Sequence, residues 1–328
     1  MLYLLTLLFI TNYILWKNLK FFSSKFNLYD LPNDSLKLHK NKISLISGFF
    51  LLLNLITIFI FSIFFEKRLD LSILSNYKII IVCITIFIIG YLDDRFSLKP
   101  VIRLLFFSIT FVLLLNFDSY YILQNIKIDE FEFSLNKNHG IIFTTICFII
   151  YLNAYNFFDG INLQSGLHTI FIYTILFFKL DFNFEIIFLI LFYIFFLIMN
   201  GKNLVFLGNS GAYLSATLIS IFLIFNFKQK ILSPTEIFIL MSLPGLDMIR
   251  IILVRLIKNK HPFKGDLNHI HHLLIKNFEI VQTNIIILVS QIINYTFYLL
   301  SDNEIMSILF SVINYLFIIF LVRKKNEK

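Results

Sequence analysis

The sequence predicts an all-α, polytopic integral membrane protein of about 11 transmembrane helices, N-terminus outside and C-terminus cytoplasmic. Three observations predict it. Of 328 residues, 58% are hydrophobic and only 15% charged, against about 25% charged in an ordinary soluble domain. Mean hydropathy is +0.83. The apolar residues gather in runs long enough to cross a bilayer, which takes about 20 residues and sometimes about 17. This composition excludes a soluble enzyme, a disordered chain and a nucleic-acid binder. The net charge of +8 then reads as loop chemistry at a membrane rather than as a nucleic-acid footprint.

The apolar runs fall at 2–16, 43–65, 78–92, 101–117, 140–157, 161–178, 186–200, 211–227, 236–257, 284–300 and 305–322. The first has no basic region before it and no small-residue cleavage site, so it reads as a retained helix. Only Ser301, Asp302, Asn303 and Glu304 separate the last two, as in a tight helical hairpin. Pro32, Pro100, Pro234 and Pro262 fall between runs. Pro244 lies inside the ninth beside Gly245, where it removes a backbone hydrogen bond and is expected to kink the helix. Assigning alternate loops to opposite sides places 20 of the 28 Lys and Arg residues on one side, which the positive-inside rule makes cytoplasmic. Cys83 and Cys147 both lie in apolar runs, so neither a disulfide framework nor a zinc site follows. With no repeat and no separate soluble segment, 1–328 reads as one membrane-embedded domain.

The informative polar residues cluster at the cytoplasmic ends of the runs. Asp93 and Asp94 close the third run. Two adjacent carboxylates at a helix C-terminus oppose the macrodipole and each other, so they need a cation or a proton; Arg95 answering one of them is the plain alternative. After the fifth run, Asn153, Asn156 and Asp159 recur every three residues on one helical face, followed by Gly160. Asp159 has no basic residue near it in sequence, and an acid at a membrane edge is by default functional. Its plain alternative is an N-cap for the next helix. Before the eighth run, Phe206, Leu207, Gly208, Asn209, Ser210 and Gly211 form a small-residue turn whose backbone N–H groups suit an anion. After the ninth, four of seven histidines lie within 261–272, among them His269, His271 and His272, with Lys264 and Lys276 alongside. Cationic neighbours favour an anion over a metal there. Lys37 and His39 sit in the first cytoplasmic loop.

In this order, the segments resemble the polyprenyl-phosphate N-acetylhexosamine-1-phosphate transferases, the integral-membrane family that starts antigen polysaccharides and makes peptidoglycan lipid I. The resemblance runs from about Asp30 to His272. Asp93 and Asp94 match its paired aspartates. Asn153, Asn156, Asp159 and Gly160 match its Asn-x-x-Asn-x-x-Asp-Gly motif. Residues 206–211 match its Phe-Met/Leu-Gly-Asp-x-Gly motif, and His269, His271 and His272 its His-x-His-His segment. Ile270 points to the antigen-initiating branch, since the peptidoglycan branch has three consecutive histidines. Lys37, His39 and Gly48 fit its first-loop motif. The departures are Asn209 for an Asp, Asn162 for an Asp, Leu163 for a Gly, and Ser44 and Ser47 for Pro and Gly.

The resemblance implies transfer of a HexNAc-1-phosphate group from a UDP-N-acetylhexosamine, UDP-GlcNAc or a relative, to polyprenyl phosphate. UMP is released, and a cell-surface polysaccharide such as O-antigen of lipopolysaccharide is begun at the bacterial inner membrane. One phosphoanhydride replaces another, so no ATP is needed. It further implies Mg²⁺, with Mn²⁺ as the alternative, held by Asp159 and Asn209. An amide oxygen is a neutral and weaker ligand than a carboxylate. In the same resemblance Asp93, Asp94 and Asp159 are the catalytic residues: Asp93 is assigned to orienting or deprotonating the lipid phosphate and Asp94 to metal or substrate support. Lys37, His39, Asn153, Asn156, Lys264 and the three histidines are assigned to substrate. Two other readings stay open. One is a secondary transporter, for which Asp247 and Arg250 lie three apart in the ninth run. The other is an impaired relative that only binds lipid, for which Asn209 argues. The oligomeric state is left open, a homodimer included.

Overall fold

The computed structural model describes residues 2–32, 41–65, 72–181, 183–259 and 267–326. These hold 13 α-helices and two small antiparallel sheets of two strands each. All eleven apolar runs fall on helices. Eight are long and apolar enough to cross a membrane: α3 (Ser47–Phe65), α5 (Pro100–Phe117), α6 (Lys137–Phe158), α8 (Phe184–Gly201), α9 (Gly208–Lys228), α10 (Pro234–Ile257), α12 (Ile280–Leu300) and α13 (Glu304–Asn326). The other three miss that measure for physical reasons. Helices α1 (Leu2–Lys17) and α7 (Gln164–Lys179) have 16 residues each. Helix α4 (Tyr77–Phe96) carries Lys78 in its first turn and Asp93, Asp94 and Arg95 near its end. The chain is an all-α, multi-pass membrane protein.

Local chemistry sets the boundaries. Asn76, Asn136, Asn183 and Ser233 cap α4, α6, α8 and α10 by accepting an N–H from the first turn. Proline opens α5 and α10, where its missing N–H is no loss. The second apolar run turns helical later than its hydropathy predicts. Ile43–Ser44 (β2) is instead a strand paired antiparallel with Tyr29–Asp30 (β1). Two short helices, α2 (Leu19–Phe26) and α11 (Ile270–Leu274), and a hairpin of β3 (Asn125–Ile128) and β4 (Phe131–Ser134) join the predicted set. Helix α10 continues through Pro244 as a single element.

The chain divides into two compact units: Met1–Asp118 with Ser165–Ile219, and Ser119–Gln164 with Ser220–Lys328. In the first, α3 packs on α1, α4 and α8, and α4 packs on α5. Buried amides join α1 to α3, Asn12 donating to Asn54 at 2.7 Å and Asn54 returning a bond at 3.1 Å. Such polar pairs hold helices together where lipid gives no hydrophobic drive. In the second unit, α10 packs on α6, α12 and α13. The predicted hairpin of α12 and α13 closes with Phe297 stacked on Phe310. Leu105, Ile109 and Leu113 of α5 are exposed, as a lipid-facing surface requires.

Candidate active site

In the first unit the sequence motifs converge on the N-terminus of α9. The strand-like approach to it is held by Ser44, whose carbonyl accepts the Phe206 N–H at 2.8 Å. The Ser47 hydroxyl donates to the Phe206 carbonyl. Gly208 turns the chain into the helix at φ +71°. The helix then passes so close to α3 and α4 that no side chain fits between. A Cβ on Gly48 would lie 2.5 Å from the Gly211 nitrogen, and one on Gly90 2.4 Å from the Ser210 Cα.

This approach brings Asp94 onto the new helix. Its Oδ1 accepts the Asn209 N–H at 2.7 Å and its Oδ2 the Ser210 N–H at 2.9 Å. The anion at this helix N-terminus is therefore the protein's own carboxylate, which corrects the expectation that these N–H groups stand open for substrate. A helix N-terminus carries partial positive charge and unpaired donors, and Asp94 supplies what both require. Burial pushes the Asp94 carboxyl up to about 7, against the two backbone donors, which favour its charged form.

Asp93 is answered differently. Its Oδ2 accepts from Arg103 Nη1 at 2.8 Å and from the Tyr213 hydroxyl at 3.0 Å, and its Oδ1 takes the Leu98 N–H at 2.9 Å. The cation that the paired acids need is thus Arg103 of α5, not Arg95, whose Nη1 reaches the Tyr91 hydroxyl at 3.3 Å. Nothing in the sequence singled out Arg103 or Tyr213. Their spacing from Asp93 belongs to no local pattern.

The second unit holds the other motifs. Asn153 and Asn156 lie in the last turns of α6, and Asp159 is the residue that ends it. Asn153 is buried and donates to the Ile149 carbonyl at 2.8 Å. Helix α7 begins only at Gln164, so Asp159 is not its N-cap. Leu163 holds φ +72°, a left-handed backbone that favours glycine. That gives a physical reason for the family's glycine there.

The histidine segment forms α11. Its apolar side chains Ile270, Leu273 and Leu274 pack with Phe158, Leu243, Ile287, Tyr315 and Ile319. His269 immediately precedes the helix, and its ring lies parallel to that of His271 at 5.7 Å. His271 is 1% exposed. Among the described residues neither of its ring nitrogens has a hydrogen-bond partner. A Cβ on Gly160 would sit 2.0 Å from its Nε2, so Gly160 is the only residue type that admits this ring. Burial, then the neighbouring imidazoles, hold His271 well below the ordinary imidazole range. The glycine of the Asp-Gly motif and the second histidine thus form one packing unit.

An apolar groove of about 290 Å³ runs between α6, the C-terminal half of α9 and α10, lined by Cys147, Tyr151, Ala154, Met241, Gly245 and Leu246 among others. Lys37, His39 and Lys264 lie outside the described residues. Among the described residues no group of three or more His, Cys, Asp or Glu side chains is placed to hold a metal. Asp159 and Asn209, the two donors named from the sequence, each offer hard oxygen, the donor type that a dication such as Mg²⁺ takes.

Residues 76–226 match the sequence model of glycosyl transferase family 4. No curated protein matches the chain. The matched segment, short of half the chain, contains Asp93, Asp94, Asn153, Asn156, Asp159 and 206–211. On a multi-pass helical scaffold, the match supports this family and indicates a membrane sugar-phosphate transferase.

Proposed function

We propose that the chain transfers a HexNAc-1-phosphate group from a UDP-sugar, UDP-GlcNAc or a related N-acetylated sugar, to polyprenyl phosphate, releasing UMP. The observation that carries this reading is the family match across the segment that holds three of the ordered motifs. The apolar groove beside α6 and α10 supports it, since an isoprenoid acceptor needs such a surface. The work is placed at the cytoplasmic face of a bacterial inner membrane, with cell-surface polysaccharide as the destination.

The reaction joins two anions, so its demand is charge stabilisation and positioning rather than covalent catalysis. In this reading Asp159 is the acid at the reacting phosphate, and Asn156 lies one turn before it on the same helix. The histidine segment binds the diphosphate, together with Lys264, Lys37 and His39. Asp93 and Asp94 act as positioning residues. Their bonds to Arg103, Tyr213 and the α9 backbone hold the loop that presents Asn209. Mg²⁺, held by Asp159 and Asn209, would neutralise phosphate charge. The paired Asp247 and Arg250 belong to a buried hydrogen-bonded cluster, which weakens the transporter alternative.

Membranes containing the protein, supplied with labelled UDP-GlcNAc and undecaprenyl phosphate, are expected to form a lipid-linked product and UMP. No product from any UDP-N-acetylhexosamine would sink the reading. With one formal charge fewer at the metal than in relatives, Asn209→Asp is expected to lower the half-saturating Mg²⁺ concentration. An unchanged value in two active proteins removes Asn209 from the ligand set. Product from Asn209→Asp alone would mark the wild type as an impaired relative.

A further inference from the structure

A second buried acid organises the histidine segment. Asp247 lies in α10, 2% exposed, three residues beyond Pro244. Its Oδ2 meets His269 Nδ1 at 2.7 Å. Its Oδ1 accepts from Arg250 Nη2 at 2.8 Å, the Tyr315 hydroxyl at 2.8 Å and the Ile270 N–H at 3.1 Å. Arg250 is itself braced, Nε donating to the Tyr315 hydroxyl at 2.5 Å and Nη2 to the Asn268 carbonyl at 2.6 Å. One carboxylate therefore ties α10, α13 and the start of α11 together, and one of its oxygens faces an imidazole.

Chemistry fixes the direction of that bond. An ionised carboxylate only accepts, so the proton between the two groups rides on Nδ1 whether the ring is neutral or charged. The nitrogen that gains or loses a proton is then Nε2. His271 differs sharply from its neighbour, with neither nitrogen bonded among the described residues and its ring wedged on Gly160. Among the described residues, the charged and titratable groups around His269 are Asp247 and Arg250 of α10, Tyr315 of α13, and His271 and His272 of α11.

We propose that Asp247 is a positioning residue of the transfer site: it locks His269 with its proton on Nδ1 and so presents Nε2 to the anionic substrate, leaving His271 as a packing ring. This rests on the transferase reading above. The three histidines, alike in sequence, then have separate tasks, and the one supported by a carboxylate meets the diphosphate.

The test pairs a spectroscopic readout with a kinetic one. Detergent-solubilised protein carrying ring-labelled [¹⁵N]histidine, with His269→Asn to assign the signal, is expected to show His269 protonated at Nδ1. In Asp247→Asn the neutral ring is expected to revert to the Nε2–H form preferred by free imidazole. With UDP-GlcNAc and undecaprenyl phosphate, Asp247→Asn and His269→Asn are each expected to lower kcat/KM at least about tenfold, as loss of an orienting partner does elsewhere. The double variant should be no worse than the weaker single variant. Losses that multiply, or an Nε2–H ring in the wild type, would overturn the proposal. If Asp247→Asn does not fold, the two amide replacements of His269 still decide. A glutamine amide falls near the position of Nε2 and an asparagine amide near Nδ1, so His269→Gln should exceed His269→Asn by about tenfold or more, and equal activities would overturn the proposal. Absence of product from the wild type would refute the transferase reading, while the spectra would still report on the Asp247–His269 bond.

Discussion

Asp94 in the first unit, half-buried, and Asp247 in the second, buried, are both acids of a long helix that meet the start of another, yet they do opposite things with the same group. Asp94 spends both oxygens on backbone N–H groups of α9, and so holds a helix end in place. Asp247 spends one oxygen on Arg250, Tyr315 and the backbone of α11, and keeps the other for an imidazole. A carboxylate whose partners are all backbone can only position. One that faces a titratable ring also decides where that ring carries its proton. Acid content alone does not mark a reaction centre; the partners of each oxygen do.

The largest expected effect sharpens that contrast. Asp159→Ala removes an acid that the resemblance places at the reacting phosphate. It should lower turnover by about 10²–10⁴-fold, the range for loss of a group acting on the reacting atoms, with the protein still inserted and its Tm little changed. Residual activity above roughly a tenth of wild type would return Asp159 to an ordinary helix end.

Arg103→Ala attacks the first unit instead. It leaves Asp93 buried with no cation, and breaking a buried pair in this way costs about 3–5 kcal/mol. Thermal unfolding in detergent should show the loss, and Arg103→Lys should recover part of it. A shift below about 1 kcal/mol would mean the pair is screened and carries little.

Two glycine substitutions compare the packing of the units directly. Gly90→Ala drives a methyl into the α9 backbone and is expected to destabilise by about 1–3 kcal/mol. Gly245→Ala meets nothing within 4 Å and should stabilise α10 by about 0.5–1 kcal/mol, because alanine loses less backbone freedom in a helix. Equal effects in the two Tm values would show that the close approach at Gly90 yields readily.

A further effect is in pH. His271 is buried neutral, so the unfolded chain binds a proton there below about 6.5 that the folded chain does not. Its contribution to stability is therefore present above that pH and lost as pH falls, by at most about 1.4 kcal/mol per pH unit for one proton. Melting temperatures of wild type and His271→Leu between pH 7.5 and 5.5 measure it. The variant should lose less on acidification, and parallel curves would show that His271 takes up its proton in the folded state.

What the sequence determined by itself follows from period and composition. Apolar runs locate eleven of the thirteen described helices, because a spanning backbone must satisfy its own hydrogen bonds and only a helix does so within one segment. Short motifs such as Asn153, Asn156 and Asp159 were legible because a spacing of three predicts a shared helical face. The tertiary structure alone decided who answers each charge. Arg103 meets Asp93 across 10 residues, Asn209 meets Asp94 across 115, and Tyr315 meets Asp247 across 68. No local pattern encodes such pairs, since they arise only when helices distant in sequence pack side by side. The same holds for Gly48 and Gly90, whose lack of a side chain has meaning only once α9 lies against them. The strand at Ile43–Ser44 is a further case. Ile43 is as apolar as the helix that follows, and pairing with Tyr29–Asp30, not hydropathy, decided its form.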